Sequence, residues 1–446
     1  MVGLLFDDSL AVLVATLTNL VDGEFVEEGT ALRDASGQLT FIAGRQAADD
    51  AERDKLGAAL IAALGKYART DRPISFLGDS GSERLLAAPE RLPIKVGDRF
   101  CQVIDRRIVG AGWLDRPSTA ATNPPRVVFA TLKGGVGRST ALVIAAADLA
   151  RRNRNVLVVD LDLEAPGLGD LLLASDRTPE LGVIDYLVED GLGGIADGDL
   201  HRFIGSSGLT QGGGGRVDVL PALGTRSSTQ PENILPKLSR AMIEDVVGGK
   251  SIPVPAQISR MIERITAREQ YDVVLIDSRA GLSELAAPAV LGLGATVLLF
   301  GTAQKQTIEG YRALFAALQL LAQRDTAAGR DTDWRMMLKP VYAKASLDAS
   351  VSKRFVDEMY ELYSAHLYDA ETDGAEAIDL LRFARSDETA PHWPLIVPFS
   401  PNFVDFDPGV NADQLTQNFY EQTYRSFLSG LDAAIIASAS TSESTL

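Results

Sequence analysis

Between the apolar run Val127-Val128-Phe129-Ala130 and the mostly apolar stretch from Ala141 to Ala150 lies Leu132-Lys133-Gly134-Gly135-Val136-Gly137-Arg138-Ser139-Thr140. This succession reads as a phosphate-binding loop joining a strand to a helix. Closely spaced glycines let backbone N–H groups approach phosphate oxygens without Cβ obstruction, and the following helix offers its N-terminal partial positive charge to the same anion. A nucleoside triphosphate is the ligand this arrangement implies, cradled by residues from Gly134 to Thr140. Arg138 would neutralise phosphate charge and Ser139 would coordinate Mg²⁺. A tight turn without a ligand is the alternative for any single loop of this kind, and two further motifs weigh against it.

The first is Val156-Leu157-Val158-Val159-Asp160-Leu161-Asp162-Leu163-Glu164, an apolar run ending in alternating carboxylates. It reads as a buried parallel strand that delivers acids at its carboxyl end, where ligands of open α/β sheets bind. The second, Tyr271-Asp272-Val273-Val274-Leu275-Ile276-Asp277, again ends in an acid and is followed by Ser278-Arg279-Ala280-Gly281-Leu282. It reads as a Walker B strand with a switch segment: Asp277 would hold Mg²⁺ through water, and the Gly281 N–H would approach the γ-phosphate. Each acid alone is an ordinary strand-terminal Asp; in this order and spacing they belong to one site.

The loop departs from G-x-x-x-x-G-K-[ST] because Leu132 stands at the first glycine and Arg138 at the lysine. With Lys133 directly before the paired glycines, it has the form K-G-G-x-G-[KR]-[ST], which resembles the deviant Walker A loop of the ParA/MinD partitioning ATPases, of the SIMIBI class. The resemblance implies that Lys133 reaches across a dimer interface to the partner's nucleotide. The D-x-D pair looks like that family's A-prime motif, which implies that Asp162 orients the attacking water while Asp160 supports the Mg²⁺ shell. The family often has proline near the position of Arg279; here an arginine either stabilises γ-phosphate charge or sits in a surface ion pair. A segment after a late strand packs on the base in this family, which points to Pro398-Phe399-Ser400-Pro401. Arg138 binds phosphate bidentately but is wider and more rigid than an ammonium, so binding is better supported than rapid turnover.

A chain of 446 residues with 46% hydrophobic content is longer than one ordinary domain. Its net charge of −17 repels phosphate polymers, so a nucleic-acid partner is not expected. The densest cationic run, Arg151-Arg152-Asn153-Arg154, ends the loop helix, where cations complement the dipole. The tail from Ala437 to Leu446 is polar and lacks the cations of an amphipathic membrane anchor, and Leu10–Leu17 resembles neither a signal peptide nor a membrane span. A cytoplasmic protein is expected. Cys101 is the sole cysteine and His201, His366 and His392 are scattered, so no zinc or iron–sulfur spacing exists within the chain.

The stretch Asp115-Arg116-Pro117-Ser118-Thr119-Ala120-Ala121-Thr122-Asn123-Pro124-Pro125 has no apolar periodicity and reads as a linker. The expected organisation is residues 1–115 as a small α/β domain of unknown role, 116–125 as linker, and 126–446 as the ATPase domain with a disordered polar tail. In the first domain Leu56, Leu60, Ile61 and Leu64 share a helical face, and Ile74–Leu77 and Phe100–Ile104 read as strands. Trp113 with Arg106 and Arg107 is either a docking site or, more simply, an internal ion-pair cluster beside a core strand. After the linker, strand candidates at Val127–Ala130, Val156–Val159, Val217–Leu220, Val273–Ile276, Thr296–Phe300, Pro340–Tyr342 and Leu395–Val397 alternate with helices. The fold class is therefore α/β: a doubly wound, mostly parallel sheet of P-loop NTPase type with a smaller N-terminal α/β domain. The run Gly212–Gly215 precedes a strand rather than a helix and reads as a flexible connection.

The leading functional expectation is a slow, Mg²⁺-dependent ATPase whose ATP-bound form is a homodimer and whose output is the positioning or assembly of a protein partner, recruited through the N-terminal domain. One alternative is an ATP-held scaffold or a regulator in signalling or phage defence with negligible turnover. Another is a protein like the bacterial tyrosine kinases, although these carry tyrosine-rich tails and here Tyr420 and Tyr424 lie inside a helical stretch. No N-K-x-D motif appears near the last strands, which favours ATP over GTP.

Overall fold

A computed structural model describes residues 4–119, 121–208, 214–247, 249–369 and 380–443. By contacts the chain divides into two compact units, Met1–Leu114 with Ala317–Asp331, and Asp115–Ala316 with Thr332–Leu446.

The first unit opens with helices α1 (Phe6–Leu20) and α2 (Gly23–Glu28), the second capped by the Asp22 carboxylate. Strands β1 (Thr30–Arg33) and β2 (Leu39–Ile42), helix α3 (Asp50–Leu64), strand β3 (Ile74–Ser75), helix α4 (Ser82–Leu86) and strands β4 (Leu92–Val96) and β5 (Arg99–Asp105) follow. The sheet order is β3-β2-β1-β5-β4, mixed in direction: β1 is parallel to β5 and antiparallel to β2. Leu56, Leu60 and Leu64 of α3 are buried on one face, and with Leu13, Leu17, Phe41, Phe76 and Val103 they form the core. Cys101 lies in that core, where burial pushes its thiol up to about 12, so it behaves as a small hydrophobe. Arg107 pairs with Asp105 and Arg106 with Glu90, while Trp113 is buried.

The second unit begins with β6 (Arg126–Thr131), α5 (Arg138–Arg151), β7 (Val156–Asp160), α6 (Leu168–Leu172), α7 (Val183–Gly193), β8 (Gly205–Ser206) and β9 (Val217–Leu220). It continues through α8 (Thr225–Thr229), α9 (Ile234–Ala241), the antiparallel pair β10 (Asp245–Val247) and β11 (Lys250–Ile252), α10 (Val254–Thr266), β12 (Val273–Asp277), α11 (Ala287–Leu291), β13 (Thr296–Gly301) and α12 (Lys305–Ala327), the last of which crosses the unit boundary at Ala317. The chain then runs through β14 (Leu338–Ala345), α13 (Ala349–His366), β15 (Leu395–Pro398) and α14 (Gln417–Glu443). The eight-stranded sheet has the order β15-β14-β13-β6-β12-β7-β9-β8, parallel except for β8. Because helices cover its faces, every residue of β6, β7, β12 and β13 is buried, which is why these strands read as unbroken apolar runs. Phe129, Phe300 and Phe427 bring β6, β13 and α14 together, with ring centroids 5.6 to 6.2 Å apart.

All seven strand candidates of this half are strands. The two-residue β8 and the β10–β11 hairpin were not anticipated, since each is too short to leave a periodic signature. The polar tail expected to be disordered is instead the end of α14, helical to Glu443, and the last three residues lie outside the described set. Leu428 and Leu431 anchor that helix in the core, and the buried Ser438 hydroxyl meets Thr296 Oγ1 at 2.7 Å. Gly212 and Gly213 also lie outside the described residues. Gly214 and Gly215 pack on the end of α5, and a Cβ on Gly215 would fall 2.2 Å from the Arg154 carbonyl oxygen. Close backbone approach, not ligand binding, explains the glycine there.

Candidate functional site

Strand β6 sits where the strand order reverses, so the crevice at the carboxyl ends of β6, β7 and β12 is the expected ligand position. The loop leaving β6 is pinned at its entry: the Thr131 hydroxyl donates to the Phe300 carbonyl at 2.9 Å and accepts the Lys133 N–H at 3.2 Å. Gly135 and Gly137 have φ of +75° and +88°, the left-handed region that side chains disfavour. Between them Val136 is buried and anchors the loop. Gly137 caps α5, and the residues from Gly134 to Thr140 line a cleft of about 350 Å³ whose opposite wall holds Asp162, Ala165, Arg279 and Ala280.

The acids meet this loop as the sheet register dictates. Asp160 of β7 and Asp277 of β12 are direct register partners, Asp277 one strand and Asp160 two strands over from the loop's own strand. The Ser139 hydroxyl donates to Asp277 Oδ2 at 2.9 Å. Arg138, almost fully buried, lays its guanidinium across the acids: Nε is 2.5 Å from Asp277 Oδ1, and Nη2 is 3.1 Å from Asp277 Oδ2 and 3.3 Å from Asp162 Oδ2. Its Nη1 also donates to the Ser278 carbonyl. Burial raises the Asp277 carboxyl above the usual range, opposed by Arg138 and by the Ser139 hydrogen bond.

Asp160 is held by backbone N–H groups. Its Oδ1 accepts the Asp162 N–H at 3.0 Å, and its Oδ2 accepts the N–H groups of Gly167 at 3.3 Å and Leu168 at 3.2 Å. Asp160 therefore braces the turn that presents Asp162. Burial, and then the neighbouring Asp277, raise its carboxyl. Gly281, with φ of +94°, donates its N–H to the Thr131 carbonyl at 2.8 Å, so in this structure that group is engaged with β6. Arg279 is a partly exposed partner of two acids, Asp162 Oδ1 at 3.3 Å and Glu164 Oε2 at 2.9 Å.

Lys133 is exposed at the cleft mouth, its Nζ 2.9 Å from Gln304 Oε1. Pro398 and Phe399 line a second, smaller cavity of about 120 Å³ together with Val136, Gly137 and Thr140 of the loop and Tyr424 of α14. The expected base-packing segment thus lies against the phosphate loop.

Sequence reasoning missed Lys344. It sits at the register irregularity in β14 between Ala343 and Ala345, has φ of +51°, and donates from Nζ to the Gly135 carbonyl at 2.7 Å. The arginines after α5 are engaged within the unit: Arg151 and Arg152 with Asp148, Arg152 also with Asp432, and Arg154 with Asp272. Tyr420 and Tyr424 are buried, unlike the tyrosines of a phosphorylated tail.

The donor set suits a hydrated Mg²⁺ shared with phosphate oxygens. One hydroxyl and one carboxylate converge, and among the described residues no three His, Cys, Asp or Glu side chains form a group able to hold a metal ion by themselves. Among the same residues no helix is long and apolar enough to cross a membrane.

Residues 127–320 match a family model described as the CobQ/CobB/MinD/ParA nucleotide binding domain. No curated protein matches the chain in sequence. Among solved structures, the cell division ATPase MinD of Pyrococcus furiosus is similar at 18% identity, covering 70% of this chain and 99% of that one, with a TM-score of 0.41. The septum site-determining protein MinD of Pyrococcus horikoshii, complexed with Mg-ADP, is similar at 17% identity over 69% of this chain and 96% of that one, with a TM-score of 0.40. The MinD cell division protein of Aquifex aeolicus is similar at 16% identity over 69% and 97%, with a TM-score of 0.41.

Proposed function

We propose, from the premise that residues 127–320 are a nucleotide-binding domain of the CobQ/CobB/MinD/ParA type, that this protein binds ATP with Mg²⁺, hydrolyses it slowly, and forms in its ATP state a homodimer that positions or assembles a protein partner. The observation that carries the reading is the Ser139 hydroxyl seated on Asp277 at the first turn of α5, in one cleft with the glycine loop and Asp162.

Backbone N–H groups of Gly134 to Thr140 and the α5 dipole would hold the phosphates. Ser139 and Asp277 would hold Mg²⁺, whose chemistry is to neutralise charge on the β- and γ-phosphates. Asp160 shapes the turn behind them. Asp162, at the end of that braced turn, would orient a water and accept its hydrogen bond. Arg138 binds phosphate oxygens in a fork. Lys133, exposed at the mouth, is free of the core and long enough to leave Gln304 for a second subunit. Pro398 and its neighbours would pack on the adenine. The N-terminal unit would recruit the partner.

A scaffold with negligible turnover is the second reading. The observation favouring it is that each oxygen of Asp162 carries an arginine, Arg279 on Oδ1 and Arg138 on Oδ2, which restrains the residue needed to position water.

Light scattering without nucleotide, with ADP, and with ATP plus Mg²⁺, alongside phosphate release, separates the two. An ATP-dependent dimer lost in Lys133→Ala and trapped in Asp162→Ala, with turnover in the wild type, is the expected result. A dimer without phosphate release selects the scaffold, and no response to nucleotide rejects both.

A further inference from the structure

We infer that the Arg138 guanidinium is a built-in cation that closes the carboxylate pair of the nucleotide-free site, so that a divalent metal ion enters only together with the nucleotide phosphates. The inference rests on the reading of this cleft as a Mg²⁺-nucleotide site and adds to it an order of ligand entry.

The guanidinium occupies the ground a metal would need. Its Nε and Nη2 span both oxygens of Asp277, at 2.5 and 3.1 Å, and Nη2 also reaches Asp162 Oδ2 at 3.3 Å. The remaining Asp162 oxygen carries Arg279 at 3.3 Å. The three side chains of the clasp are each exposed by less than a tenth: Arg138 9%, Asp162 7% and Asp277 3%. Charges this deep demand compensation, and here Arg138 lies against Asp277 and Asp162 while Arg279 is shared between Asp162 and Glu164. A divalent ion arriving alone would have to evict the buried Arg138 guanidinium into solvent.

A triphosphate changes that balance. Its oxygens would arrive at the first turn of α5, where Arg138 begins, and offer anionic acceptors in place of the carboxylate oxygens. Arg138 can exchange one anionic partner for another without being stripped of charge, and the vacated Asp277, still bonded to Ser139, becomes a metal ligand. A lysine at this position would carry a point charge that cannot span two carboxylates at once, which separates this loop from one with the usual residue.

The test uses Mn²⁺ as probe on the full chain, read by electron paramagnetic resonance and calorimetry. Without nucleotide, wild type should bind Mn²⁺ weakly. Arg138→Ala should gain a site tighter by about a hundredfold or more, because one positive charge has left a partly dehydrated pair. Arg138→Ala with Asp277→Asn should lose it. Arg138→Lys, which keeps a charge but not the fork, should fall between, and it carries the test if Arg138→Ala does not fold by circular dichroism. With ATP present, wild type should take up one tightly bound Mn²⁺.

Nucleotide-free wild type binding Mn²⁺ through Asp277 as tightly as Arg138→Ala would overturn the inference. So would Arg138→Ala and Arg138→Lys both binding no better than wild type. If wild type fails to bind ATP at all, the nucleotide reading falls, while the measurements with Mn²⁺ alone still decide whether Arg138 closes the pair.

Discussion

The Tyr420 hydroxyl donates to the buried Asp148 carboxylate across 2.9 Å, joining the last helix of the chain to the far end of the helix that starts at the phosphate loop. Asp148 also takes Arg151 and Arg152, so removing the phenol leaves it two charged partners. Tyr420→Phe should therefore cost about 1.5 kcal/mol, the low end for a hydrogen bond to a charged group. Urea unfolding of the full chain measures it; a loss well above that figure would mean that the phenol, rather than the arginines, keeps Asp148 compensated.

The stacked and edge-on contacts of Phe129, Phe300 and Phe427 make α14 part of the core rather than an appendage. Phe427 is fully buried, and Phe427→Ala should destabilise the second unit by about 3–5 kcal/mol. Calorimetry should show a lower transition for that unit, and a change within error would mean that α14 docks without carrying the core.

Gly137 sits at φ +88° with open space around the position of a Cβ, so Gly137→Ala meets backbone strain and no clash within the protein. The strain should cost about 1–2 kcal/mol. A methyl group facing the cleft should in addition weaken binding of a fluorescent ATP analogue by about tenfold or more. Gly97, at φ +61° with the same open surroundings, is the control: Gly97→Ala should cost stability and leave nucleotide affinity unchanged.

In the first unit, the Arg45 guanidinium and then the Ala48 N–H hold the Glu52 carboxyl at about 2, below its ordinary value. A carboxyl depressed by folding contributes stability that is present above its unfolded value and is lost as pH falls through the folded one. Denaturant midpoints should fall as pH is lowered from about 5 towards 2. Glu52→Gln should flatten that slope and cost about 1 kcal/mol or less at neutral pH, since the pair is partly exposed. An unchanged slope in the variant would place the acid sensitivity elsewhere.

Parallel strands were legible in the sequence because a strand covered on both faces has no polar alternation to confuse it, and two of them announce their carboxyl ends with Asp160 and Asp277. The convergence of Ser139 with Asp277 followed from that order. The brace that Asp160 gives its turn was not legible, because its partners are backbone N–H groups of residues 162, 167 and 168, which no side-chain pattern records. Lys344 was invisible for a related reason: it reaches Gly135 through a backbone irregularity in β14, not through a motif. The helical stretch around Tyr420 and Tyr424 was legible, but its continuation to Glu443 was not, because the residues from Ala437 onward are small and polar. The inclusion of Ala317–Asp331 in the first unit has no local signature, because that segment continues an ordinary helix, α12.

On the outer side of β9 the eight-stranded sheet ends in β8, two residues long and antiparallel to everything beyond it. A strand that short offers almost no row of unpaired amides and carbonyls for another chain to copy. Beneath it, Asp218 of β9 is buried and takes both the Tyr271 hydroxyl at 2.9 Å and the Ser206 hydroxyl, so the rim carries an inward-facing charge as well. Sheet-to-sheet extension from this rim is thereby discouraged, and copies of the protein at high local concentration are kept from fusing into a continuous β-structure along that side.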